Sequence, residues 1–289
     1  MNFNINLIDI KAIVKEVLEE CDLLKYFTIT TNQSPLRYPG GKSKACKILN
    51  DILSQNFDIS KYEYIISPFF GGGSFEFHIQ NTYNKKIIAN DKFQSLYNFW
   101  VQCQTNKKQL CAELTQIQER GVVKEDFLYY RNQIQSSLNL KQAIAYFVLN
   151  RCSFSGTTLS GGFSNEASQK RFTFSSIQKI EELNLINIKF HGLDFEEFIN
   201  IYYKDNVFIF LDPPYYLTSK LYGNNGDLHE YFDHIRLFNI LENKKNWMMT
   251  YNNCDFIKIL YGKFTIIEVD WTYGMNKSKE SSEIIIISK

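Results

Sequence analysis

Apolar positions recur along the chain in two rhythms. Between residues 5 and 27, Ile10, Ile13, Val14, Val17 and Leu18 fall at spacings of three and four with Lys and Glu between them, which predicts an amphipathic helix. Thr28 to Pro35 is polar and breaks the pattern. The segment RYPGGKSK makes a glycine turn that feeds an apolar helix from about Ser43 to Leu53. Tyr62–Phe69 reads as a buried strand, followed by Phe70-Gly71-Gly72-Gly73-Ser74 and a helix from Phe75. Lys85–Asp91 is a second short strand that ends in an acid. Strand, glycine turn, helix, strand and terminal acid is the layout of a nucleotide-binding βαβ unit.

From Lys92 to Asn150 strand character disappears, and helices such as Gln94–Gln104 and Lys141–Asn150 follow one another. Arg151 to Arg171 is rich in Ser, Gly and Thr and predicts a hairpin or exposed loop. Alternation of strand and helix then returns. Ile188–Phe195 is read as a strand that ends in Asp194-Phe195, and Val207–Leu211 as a buried strand that ends in Asp212-Pro213-Pro214-Tyr215. Residues 216–230 form a polar loop, Tyr231–Asn243 a helix and Trp247–Tyr251 a strand. A further helix precedes Phe264–Trp271, and Glu283–Ser288 closes the chain as the partner of an antiparallel pair.

A length of 289 residues allows two domains, or one large one with an insertion. Apolar residues at 44% and charged residues at 22% exclude a disordered chain, a collagen and a membrane bundle. The net charge of +1 announces no polyanion partner globally. Locally the picture changes: residues 101–180 carry ten Lys or Arg against five Asp or Glu, a balance of +5 that leaves the rest of the chain at −4. A polyanion belongs on this middle segment; the plain alternative is a solvated basic helical face. Six cysteines form no C-x-x-C pair and have no histidine at metal-ligand spacing, which fits reduced thiols in a cytoplasmic protein and no metal. Apolar runs such as Ile284–Ile287 are far short of the ~20 residues of a membrane span.

Three segments carry candidate chemistry. Asp212-Pro213-Pro214-Tyr215 follows an apolar strand at the carboxyl edge, where open α/β sheets place their sites. The double proline ends the strand rigidly and aims the Asp212 carboxylate and the Pro213 carbonyl one way. Two acceptors aimed at one spot suit an exocyclic amine, and Tyr215 offers a flat face to its ring; the plain alternative is a surface turn with a helix-capping Asp. The glycines after Pro68 admit close approach of a ligand, though the run lacks G-x-G-x-x-G and the Gly-Lys-Ser/Thr of a P-loop. Asp91 stands where an acid accepts both ribose hydroxyls, or where a helix is capped. Tyr38-Pro39-Gly40-Gly41-Lys42 places a cation and an aromatic ring ahead of the βαβ unit, suited to a carboxylate and a sulfonium.

In this order, with Asn90-Asp91 and a helical insert before Asp212, the segments resemble the Dam-type, alpha-ordered N6-adenine DNA methyltransferases from about Pro35 to Lys289. The resemblance implies a Rossmann-like methyltransferase sheet with an antiparallel last strand and an inserted, mostly helical recognition domain. Its parts would be an N-terminal extension (1–33), a catalytic domain (34–105 and 181–289) and a recognition domain (106–180) with a hairpin near 151–173. It implies methyl transfer from S-adenosyl-L-methionine to N6 of a flipped-out adenine in double-stranded DNA, with Asp212, Pro213 and Tyr215 at the base. Tyr38, Lys42, Phe70, Gly71, Gly73, Asp91, Asp194, Phe195 and Asp212 would form the cofactor site, with Lys42 at the cofactor's carboxylate. Arg131, Arg151, Phe154, Thr157, Thr158, Lys170 and Arg171 would meet DNA, and a restriction endonuclease would be a partner in the same system. Two departures stand out: many relatives have Trp at the position of Tyr38, and often larger or basic residues at Thr157-Thr158.

The rival functions are transfer to cytosine N4, an RNA base or a glutamine side chain, and a non-catalytic DNA-binding protein on the same fold. Asp at the head of the four-residue motif favours adenine by family analogy. His229 and His234 follow the polar loop and either border the base pocket or cap a helix.

Overall fold

The computed structural model describes residues 32–38, 40–135, 138–216, 232–272 and 280–289. The helix expected at 5–27, Pro39, His229 and most of the polar loop after Tyr216 lie outside them. Asn32 to Lys289 form one contiguous unit. Its frame is a seven-stranded sheet: β1 (Tyr64–Ser67), β2 (Ile87–Asn90), β3 (Ile188–His191), β4 (Val207–Leu211), β5 (Trp247–Asn252), β6 (Thr265–Thr272) and β7 (Glu280–Ser288). The order is β3-β2-β1-β4-β5-β7-β6. The first five strands run parallel, and β7 enters antiparallel between β5 and β6. This is the methyltransferase-type α/β sheet that the sequence led us to expect.

The strands are apolar throughout because both faces are covered, as parallel sheets require. In β4 the period of two separates the faces: Val207, Ile209 and Leu211 pack with Tyr64 and Ile66, whereas Phe208 and Phe210 pack with Ile65. On the first face, α9 (Phe195–Tyr202), α10 (His234–Leu241) and α11 (Asp255–Leu260) bring Phe198, Leu237 and Ile257. On the other, α1 (Cys46–Asn56) and α2 (Ser74–Tyr83) bring Leu49, Leu53, Phe75 and Ile79.

The helical insert comprises α3 (Gln94–Thr105), α4 (Lys107–Arg120), α5 (Lys124–Gln133), α6 (Leu140–Cys152), α7 (Asn165–Lys170) and α8 (Phe174–Glu181). Residues Gln142–Asn150 and Cys152 of α6 are all buried, so it is the core of this layer, and the layer packs onto Ile87 and Ala89 of β2. Two expectations need correction. The segment 151–171 is no regular hairpin: α6 runs on to Cys152, a 3-10 turn spans Phe154–Gly156, one bridge joins Ser153 to Phe163, and α7 follows. The strand expected to reach Phe195 stops at His191; Asp194 caps α9 and Phe195 begins it.

Candidate active site

β1 and β4 are neighbours at the point where strand order reverses, so the loops beyond their carboxyl ends share a crevice. Asp212 leaves β4 into that crevice with its side chain 25% exposed. Its Oδ1 lies 2.9 Å from Lys42 Nζ and accepts a 2.5 Å hydrogen bond from Thr250 Oγ1 of β5. No described donor meets Oδ2 or the Pro213 carbonyl. Lys42 is buried, donates to the Gly40 carbonyl at 2.8 Å, and stands 4.9 Å from the centre of the Tyr215 ring. The Tyr215 phenol donates to Glu283 Oε2 at 2.6 Å, and its ring packs on Tyr251 with centroids 6.0 Å apart. Burial, followed by the charges of Asp212 and Glu283, pushes the Tyr215 phenol well above its ordinary range. Beneath them Glu76 is buried in the first turn of α2 and accepts from Ser67 Oγ at 2.6 Å. Burial above all, with help from Asp212, pushes its carboxyl up to about 8, so it is mainly neutral at pH 7.

The glycine turn after β1 is pinned on both sides: the Gly71 N–H donates to Asp91 Oδ2 at 3.0 Å, and the Gly71 carbonyl accepts from Trp100 Nε1 at 3.0 Å. Gly71 and Gly73 have φ of +51° and +68°, where a side chain is strained. A Cβ on Gly71 would stand 2.9 Å from the Tyr38 ring, and one on Gly73 2.5 Å from the Phe70 ring. The turn therefore makes room for the protein's own aromatics. Phe70 itself is core, against Phe77, Trp100 and Phe190. Asp91 takes one N–H on each oxygen, from Gly71 and from Phe93 at 2.9 Å, and burial pushes its carboxyl up to about 6. Asn90 ties the strand ends together, donating to the Pro68 and Leu193 carbonyls and accepting from the Leu193 N–H.

Some expected residues lie elsewhere or are otherwise engaged. Lys42 is placed at Asp212. Asp194 binds Lys92 at 3.0 Å and Arg236 Nη2 at 3.1 and 2.9 Å; burial would raise its carboxyl, but these bonds and the Glu196 N–H hold it below the ordinary range. Phe195 is nearly buried beside Phe69 and Phe232, with the Arg236 guanidinium 4.4 Å above it. Arg131 holds the carbonyls of Leu159 (2.9 Å) and Gly161, and Arg151 those of Pro35 and Arg171. Arg131 thus braces the loop between Ser153 and Phe163, whereas Arg151 ties the end of α6 to Pro35 and to the residue after α7. Burial, then Arg37 and Arg171, lowers the Arg151 guanidinium to about 10. Thr158 is buried, bonded to Asn150 Nδ2 at 3.0 Å, and Thr157 Oγ1 donates to the Phe154 carbonyl. Lys170 pairs with Glu166. Phe154, at 69% exposure, and Arg171, which has no hydrogen bond or ion pair from its guanidinium among the described residues, reach solvent.

Comparison with known proteins decides what this assembly is. A family model of the D12 class N6 adenine-specific DNA methyltransferases matches residues 38–275. The chain belongs to this family. The type II methyltransferase M.CviBI of Paramecium bursaria Chlorella virus NC1A is 26% identical over 86% of this chain and 95% of its own length. M1.LlaDCHI of Lactococcus lactis subsp. cremoris is 26% identical over 85% and 90%. M.MjaIII of Methanocaldococcus jannaschii is 24% identical over 81% and 89%. The chain is thus a site-specific, adenine-specific DNA methyltransferase.

Several residues of this methyltransferase site were given no role from sequence: Glu76, Thr250, Glu283 and Arg236, while Asn90 entered only as the neighbour of Asp91 in the motif. For the two glutamates a signal existed, an acid interrupting an apolar run in Ser74-Phe-Glu-Phe77 and in Glu283-Ile-Ile-Ile-Ile287. Among the described residues no helix is long and apolar enough to cross a membrane, and no group of three or more His, Cys, Asp or Glu is placed to hold a metal.

Proposed function

We propose that the crevice transfers a methyl group from S-adenosyl-L-methionine to N6 of an adenine swung out of duplex DNA, and that Asp212 and Pro213 grip the amine. One observation carries this: Lys42 and Thr250 both hold Oδ1 of Asp212, which leaves Oδ2 to accept an N–H. The cofactor supplies a methyl group made electrophilic by its sulfonium. Residues present fit it: Asp91, fixed by two backbone N–H groups, keeps a free lone pair on each oxygen for a diol. Tyr38, Gly71 and Gly73 shape the floor, with Phe70 acting from behind it. Phe195 with Phe69 and Phe232 offers ring surface for a purine, and Asp194 acts on it through Arg236 and the α9 terminus.

The N6 lone pair is delocalised into the ring. Acceptors on both amine hydrogens favour a pyramidal nitrogen with its lone pair directed at the methyl carbon, so orientation supplies much of the rate. The N–C bond forms as the C–S bond breaks. The carboxylate stabilises the positive charge that develops on nitrogen until its surplus proton leaves. The adenine must leave the stack, at a cost of a few kcal/mol.

Residues 106–180 would recognise the target, with Phe154 and Thr157 at the exposed loop, Arg171 and Lys170 at phosphates, Arg131 and Thr158 holding the loop's shape, and Arg151 fixing the end of α6 against Pro35 and Arg171. The type II designation of the relatives supports a modification role beside a restriction endonuclease. Long-read sequencing of host DNA after expression tests the reading. It should show N6-methyladenine in one short motif, lost with Asp212→Ala; N4-methylcytosine, or an unchanged signal with D212A, would refute it.

A further inference from the structure

Glu283 is 1% exposed, a carboxylate at the head of four consecutive buried isoleucines in β7. An acid is costly there, and a well-packed apolar residue would serve stability as well or better. Its surroundings explain the cost. The register of β5 and β7 sets Glu283 opposite Asn252, and Asn252 clasps the backbone of Tyr216, accepting from its N–H and donating to its carbonyl, each at 2.9 Å. One strand pair thus holds the Asp212–Tyr216 segment at two points: Asn252 fixes its backbone, and Glu283 receives the Tyr215 phenol at 2.6 Å. Glu283 Oε2 is also 3.9 Å from Lys42 Nζ, the group that holds Asp212 Oδ1 at 2.9 Å.

We propose that Glu283 is a positioning residue for methyl transfer: through the Tyr215 phenol and the Lys42 ammonium it sets the plane of the Tyr215 ring and the direction of Asp212. This rests on the reading above, in which Asp212 and Tyr215 meet the target base. Glu283 itself touches no reacting atom. Removing its charge takes away one of the carboxyl groups near Lys42, so the ammonium shifts toward Asp212 and Oδ2 turns away from the amine. Loss of the phenol bond frees the ring to tilt. Both changes degrade alignment in the transition state more than ground-state binding, the signature of an orientation effect.

The test compares the full chain with E283Q, Y215F and E283Q/Y215F on a duplex carrying the motif that the wild-type protein methylates. Single-turnover tritium transfer, KM for cofactor and DNA, and thermal unfolding are read on each. Expected are a transfer rate about 10- to 100-fold lower in E283Q, with both KM values within about threefold and a cooperative unfolding transition retained. Y215F should show the same split, and the double variant should be no slower than the slower single. A folded E283Q within twofold of the wild-type rate would overturn the proposal, as would losses that multiply in the double variant or appear only in KM. If E283Q does not fold, Y215F decides alone, since it keeps the ring and removes the phenol through which Glu283 acts: a wild-type rate refutes the link. A wild-type protein that methylates no adenine would overturn the underlying reading as well, whereas normal activity in E283Q defeats this proposal only.

Discussion

Glu76 makes folding of this methyltransferase take up a proton. Its carboxyl ordinarily titrates at 4.5 and in the fold at about 8. A group whose folded value is raised is held neutral by the fold, so the folded state binds more protons than the unfolded one between those limits. Stability therefore falls as pH rises through that interval and levels off above 8. Near pH 7 the unfolded chain has lost this proton and most folded molecules keep it, which gives a slope of about −1 kcal/mol per pH unit from this residue. Summed over the interval, the loss is on the order of 5 kcal/mol. The Ser67 hydrogen bond and the position in the first turn of α2 both favour the charged form, and burial outweighs them.

Glu76→Gln mimics the neutral acid and has no proton to take up. Urea unfolding of both proteins at closely spaced pH values between 6.5 and 7.5 is the assay. Asp91, raised to about 6, has mostly finished titrating below that window, and His78 and His191, lowered by burial, contribute equally to both proteins. The difference in slope therefore belongs to Glu76. The variant should gain on the wild type by about 1 kcal/mol for each pH unit. Parallel slopes would show that Glu76 is ionised in the fold, and the charge balance drawn around Asp212 would be wrong.

Other perturbations test separate links. Asp212→Ala should lower single-turnover methyl transfer about 100-fold or more while cofactor affinity, measured by calorimetry, stays within about threefold. Asn90→Ala removes a buried side chain that ties Pro68 to Leu193, and should cost about 2–4 kcal/mol in urea unfolding. Arg171→Ala should weaken DNA binding and reduce the slope of log affinity against log salt by about one, measured by fluorescence anisotropy.

The strands and their punctuation were legible because burial on both faces forces long apolar runs. Val207–Leu211 is bounded by Asn206 and Asp212, and the structure places it at the same residues. Asp212 was legible for the same reason, as an acid at the end of such a run. The strand through Phe195 was overextended because Leu193 and Phe195 are apolar, whereas the Asp194 side chain bonds the Glu196 N–H and starts a helix. At the glycine run the sequence shows the space but not its neighbour: the Tyr38 ring, over thirty residues upstream, lies against Gly71. Thr250 escaped notice, and the acid at Glu283 had no assignable partner, because their partners are brought to them by the register of distant segments, which local sequence does not give.

A second set of contacts between distant segments ties the helical layer to the chain that leads to the crevice. Asn150, buried in α6, accepts from the Arg37 N–H at 2.8 Å and donates to the Arg37 carbonyl at 2.7 Å, replacing a strand neighbour for that one residue. The Arg37 guanidinium returns to the carbonyls of Arg151 and Ser153, where α6 passes into the exposed loop. Gly156 of that loop lies so close to Arg37 that a Cβ there would stand 2.8 Å from it. Five residues beyond Arg37 comes Lys42, which holds Asp212. A displacement of the loop must therefore carry Arg37 or break four hydrogen bonds, two of them at a buried asparagine whose stranded amide would cost about 1–3 kcal/mol. The loop that faces solvent is thus fastened at Arg37, and the carboxylate that faces the crevice at Lys42.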